Sequence, residues 1–100
     1  SLDACYAVQL GDSVLVRGNV TEGKRHFHDF ALAGAPGELY PITVVLDVDG
    51  NDDGSGWSVS RMNLTGGSDT LVARSGVLPL RQRVWGTVLV ERGGFYRVEI

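Results

Sequence analysis

Three groups of side chains in this sequence are of types and spacings that do chemistry. The first is acidic: Asp47, Asp49, Asn51, Asp52 and Asp53 set five oxygen-bearing side chains within seven positions, and Gly54 follows. Asp49-x-Asn51-x-Asp53-Gly54 matches the first half of a calcium loop, where alternate side chains converge on one hard cation and glycine permits the sharp bend. Carboxylates this crowded repel one another unless a cation or water offsets the charge. Ser60 stands where an EF-hand places its bidentate glutamate, and the flanks read as strands, so an EF-hand is excluded. Asp, Asn and Gly are equally the ordinary residues of a solvated turn, and the sequence leaves calcium and turn both open.

The second group is Arg81, Arg83 and Trp85, which share one strand parity. Two guanidinium groups and an indole in a stripe suit stacking on a sugar ring or holding an anionic polymer. The plainer alternative is an indole packed under a loop beside solubilising arginines. The third group is His26-x-His28, two imidazoles on one strand face with the spacing that zinc sites use. A structural zinc site takes four ligands, and the neighbouring Asp29 points the other way, so two ordinary histidines are the expectation. Gly11-Asp12-Ser13-Val14 shares letters with an esterase nucleophile motif, but no histidine follows His28. A serine without a base to take its proton is not a nucleophile. With no recognisable nucleophile–base pair, metal triad or cofactor loop, the chain is expected not to be an enzyme.

The elements that must position these groups follow from composition and period. Of 100 residues 43% are hydrophobic and 21% charged, with fourteen glycines against three prolines. Valine supplies fourteen positions, a mix that favours strands joined by tight turns. Period-two patterning predicts strands over Ala4–Leu10, Ser13–Val20, His26–Leu32, Tyr40–Val48, Trp57–Leu64 and Thr70–Arg74, and two more around Val84–Val90 and Tyr96–Ile100. Tyr40, Ile42, Val44, Leu46 and Val48 share a face that must be core. Asp49–Gly56 is a long exposed loop. The apolar side switches between Val59 and Met62, which predicts a bulge near Arg61. No segment carries helical apolar spacing. The expected fold is an all-β antiparallel sandwich, jelly-roll-like, of seven or eight strands, with residues 1–100 forming one domain of a larger chain.

Charge and cysteine set further bounds. The formal charge of −3 argues against nucleic acid, and no apolar run nears the roughly 20 residues that span a bilayer, so no membrane insertion is expected. Cys5 is the single cysteine; it forms no internal disulfide and reads as a buried, inert thiol.

The order of pieces resembles a known family. A strand ending His28-Asp29-Phe30-Ala31-Leu32 leads through a small-residue loop to Tyr40–Val48, then an acidic loop, Trp57–Leu64 and Gly66-Gly67-Ser68-Asp69-Thr70-Leu71-Val72-Ala73. The chain closes with Gly86-Thr87-Val88-Leu89-Val90 and Gly94-Phe95-Tyr96-Arg97-Val98-Glu99-Ile100. From about Gly11 onward this is similar to the bacterial pre-peptidase C-terminal domain, an accessory β-sandwich found beside secreted proteases and related to collagen-binding domains. Asp29 matches the family's aspartate before its Phe-x-Leu, while Val88 stands where the family favours an aromatic. The resemblance implies a noncatalytic accessory domain of a secreted protein, extracellular or at the cell surface, with a catalytic domain upstream. Such a domain would bind polysaccharide or extracellular protein through an exposed strand face, with calcium as a stabilising ion. The alternative is a structural or assembly module of a shell, pilus or fibre built on the same sandwich.

Overall fold

A ten-residue run in which every second side chain is apolar has one inexpensive arrangement, a strand with that face buried. The computed structural model, which describes residues 4–20, 25–48, 56–75 and 82–100, places such a strand at the centre of the molecule. Its described elements are β1 (Ala4–Leu10), β2 (Ser13–Val20), β3 (Phe27–Ala31), β4 (Leu39–Val48), β5 (Ser58–Arg61), β6 (Thr70–Arg74), β7 (Gln82–Glu91) and β8 (Phe95–Glu99). No helix occurs among the described residues.

The strands form two four-stranded sheets, β2-β1-β4-β7 and β3-β8-β5-β6, and every pairing is antiparallel. The pairs β5·β6, β4·β7 and β3·β8 nest around the β5–β6 connection and alternate between sheets, so the chain is a long hairpin rolled about one core. That is a jelly-roll arrangement of the β-sandwich. β1 inserts between β2 and β4. Val8, Ile42, Val44 and Leu46 from the first sheet meet Phe30, Val59, Tyr96 and Val98 from the second in a single cluster. Each fully buried aliphatic chain there contributes about 1.5–3 kcal/mol. Tyr40 closes one end of the core face beneath the Arg92 guanidinium, 4.1 Å from its ring centre.

Several local expectations are corrected. β5 pairs in regular register with β8, and the irregularity lies instead in its pairing with β6, where Val72 is the extra residue. Met62 changes side because the chain leaves the strand after Arg61. There Asn63 Oδ1 accepts from Thr65 N at 2.9 Å and Asp69 Oδ1 accepts from Asn63 N at 2.8 Å, so Leu64 is exposed. A second bulge makes Leu15 the extra residue of β2 and pairs Val14 with Gln9. Val14 therefore leaves the core face, and both residues are exposed. Cys5 is also exposed. Tyr6 and Val8 take the inward parity of β1, which turns Cys5 out to donate to Asn19 Oδ1 at 3.4 Å.

Trp57, just before β5, is half-buried and packs against the core. Its indole lies over Gly86 of β7, where an added Cβ would sit 2.5 Å from Trp57 Cζ2. Replacing an unstrained strand glycine by alanine is ordinarily neutral or stabilising. Here the sign reverses: Gly86→Ala is expected to cost about 1–3 kcal/mol through overpacking. A thermal melt followed by circular dichroism should show the midpoint falling by about 4 °C or more; an unchanged midpoint would mean that the indole is not seated on that glycine.

Candidate functional site

Burying Ile42, Val44 and Leu46 turns Thr43 and Val45 outward, and the register carries that choice to the neighbouring strands. Across the outer face of the first sheet, Arg17, Ala7, Val45 and Trp85 form one row. Gln9, Thr43 and Thr87 form the next, and Pro41 lies opposite Leu89 beyond it. β7 is an edge strand. Trp85 is 68% exposed and Leu89 59%, while the Thr43 and Thr87 hydroxyls between them are hydrogen-bonded at 3.0 Å. The result is a strip of apolar surface with a hydroxyl pair at its middle and Arg17 at the β2 end of the Trp85 row.

Of the residues singled out from sequence, Trp85 occupies this face and Arg83 holds the adjacent strand position of the same parity, with Asp47 opposite it in register. Arg81 lies outside the described residues, as do Asp49, Asn51, Asp52 and Asp53; Asp47 is placed only as the ninth residue of β4. Among the described residues no group of three or more His, Cys, Asp or Glu side chains is arranged to hold a metal ion. Sequence reasoning missed Val45, Thr43, Ala7 and Pro41 as neighbours of Trp85, because they come from distant strands. The available signal was the outward parity of β4, uncharged through Leu39, Pro41, Thr43 and Val45 before it reaches Asp47.

The second sheet turns a different face to solvent. Arg97 donates from Nε and Nη2 to the two oxygens of Asp29 at 2.7 and 2.9 Å, and Arg25 pairs with Glu99 at 2.6 Å. Phe27 lies beneath the Arg97 guanidinium. An open recess lined by Arg61, Met62, Leu64, Thr70 and Phe95 sits at the β5–β6 and β7–β8 turns, away from Trp85.

No family model, curated protein or solved structure matches the chain. The family resemblance therefore rests on core spacing and turn glycines, and the site is read from its own geometry.

β3 starts one residue later than expected, so His26 lies just before it and His28 within it; both pack on Tyr6, whose ring centre lies 5.6 and 5.4 Å from theirs. The Tyr6 hydroxyl and His28 Nε2 are joined by a 2.7 Å hydrogen bond, which ties β1 of one sheet to β3 of the other. The half-buried pair thus packs against the first sheet. Burial, and then the neighbouring His26, lower the His28 pKa, opposed by Asp29. A histidine with a depressed folded pKa is neutral in the native state, so its contribution is complete above its unfolded pKa of about 6.5 and is lost as the pH falls toward its folded value. Asp29, held low chiefly by its hydrogen bond from Arg97, loses its contribution only as the pH falls below about 3.9. The two windows are separate. The denaturation midpoint in urea is expected to fall between pH 7 and pH 5, and less steeply in His28→Gln; parallel profiles would remove His28 as the cause.

Proposed function

We propose that this chain is a noncatalytic binding module of a larger secreted protein, working outside the cell or at its surface, and that it holds an extracellular polymer on the outer face of the first sheet. The observation that carries the reading is Trp85, 68% exposed on an edge strand and continuous with Val45, Ala7, Pro41 and Leu89. Tryptophan left in water forgoes a large burial gain, and such residues concentrate where partners dock. Arg81 and Arg83 belong to the same proposal as flanking contacts. The resemblance to the pre-peptidase C-terminal domain supports an appended module with a catalytic domain upstream.

Calcium is a component of this proposal, through Asp47, Asp49, Asn51, Asp52 and Asp53. Asp47 belongs to β4, so a cation bound there would brace the connection from β4 to β5. One observation favours a second reading, an assembly module: β7 is a ten-residue edge strand with Trp85 and Leu89 exposed, and such an edge templates pairing with another chain.

Two experiments test these readings. Light scattering coupled to size exclusion at micromolar concentration is expected to give a monomer, and Trp85→Ala to weaken retention on a polymer matrix by about tenfold or more. Stable oligomers would favour the assembly module. Millimolar calcium is expected to raise the melting temperature of the wild type and to leave Asp49→Ala/Asp53→Ala unmoved; no shift in the wild type would discard the ion.

A further inference from the structure

The charge pattern and the chemistry of the Trp85 strip narrow the polymer to one class. The formal charge is −3, which repels a polyanion at long range. On the outer face of the first sheet, Arg83 and Asp47 hold opposite register positions, and Arg17 stands at the far end of the Trp85 row, on β2, three strands from the indole. Elsewhere Arg25, Arg61, Arg92 and Arg97 are engaged by Glu99, Glu91, Glu38 and Asp29 at 2.6, 3.6, 3.5 and 2.7 Å. Those guanidinium groups are neutralised within the fold and do not line up as an anion-binding row.

The strip itself is amphipathic along β7. Trp85, Thr87 and Leu89 follow one another on the outer face at about 6.8 Å intervals, two strand residues apart. The hydroxyl of Thr87 is bonded to that of Thr43, and each hydroxyl keeps further donor or acceptor capacity; the Gln9 amide stands in the same row. An apolar plane beside neutral hydrogen-bonding groups is the complement of a sugar ring, whose C–H face is apolar and whose rim carries hydroxyls. We infer that the ligand is an uncharged polysaccharide, stacked by its sugar face on Trp85 with its hydroxyls meeting Thr43 and Thr87. This rests on the binding reading above and specifies its ligand.

The test is retention on insoluble cellulose and chitin, with immobilised heparin and gelatin as the anionic and protein arms. Wild type is expected to be held by cellulose or chitin and to stay bound at about 1 M NaCl, where the screening length is only about 3 Å. Trp85→Ala should weaken this about tenfold, Trp85→Tyr should restore part of it, and Thr43→Val/Thr87→Val should weaken it while the melting temperature is kept. Retention by heparin alone, lost at high salt, would overturn the uncharged class and leave the binding reading standing; Trp85-dependent retention by gelatin alone would overturn the polysaccharide and leave it likewise. No retention on any matrix, together with oligomers in light scattering, would overturn the inference and the binding reading together.

Discussion

The period of two along β4 is the constraint on which everything else hangs. Ile42, Val44 and Leu46 are sealed from solvent, and a slip of one residue would exchange all three for Thr43, Val45 and Asp47. Because β4 pairs with β1 on one side and β7 on the other, its phase is imposed on both. Tyr6 and Val8 are forced inward with it, and Ala7, Trp85 and Leu89 outward. The exposed indole is thus not a local accident of β7. It is the outward half of a register whose inward half is the hydrophobic core, and the two cannot be changed separately.

The two outer faces solve the same problem of meeting water by different means. On the second sheet, one β3–β8 register pair carries opposite charges, and there Asp29 accepts a two-pronged bond from Arg97. Ion pairs this exposed contribute little stability, about 0–1 kcal/mol; they interleave charge with the exposed Phe27, Leu71 and Phe95 of the same face. The first sheet has threonines, a glutamine and aliphatic chains in most of the equivalent places, with Arg17 at the β2 end of one row. One face mixes ion pairs with aromatic and aliphatic chains, and the other sets an indole beside hydroxyls.

How much of this is legible in the sequence depends on how far a feature's cause lies along the chain. β1, β2 and β6 have bounds that agree with the alternation because their own side chains dictate them. The bulges do not, since a two-against-one pairing belongs to the partner strand: Val72 is an extra residue only relative to β5, and Leu15 only relative to β1. Cys5 misleads for a related reason, as a small thiol beside apolar residues suits either face until Tyr6 claims the interior. At the site, Trp85 announces itself by type and parity. Its companions do not, because the Thr43–Thr87 hydroxyl pair joins residues 44 positions apart, and only the nesting of β4 with β7 brings them together. The acidic loop is legible in composition alone.

The bond between Tyr6 and His28 has a mechanical meaning as well. His28 lies opposite Val98 of β8, and Tyr6 belongs to β1, so a single polar link connects the first strand to the partner of the last. Tension entering along β1 and leaving along β8 would meet that link together with the ladders that join β1 to β2 and β4 and β8 to β3 and β5. In a stretched module this clasp would share the load with those ladders, and a medium acidic enough to protonate His28 would loosen it before it touched the valine layers behind it.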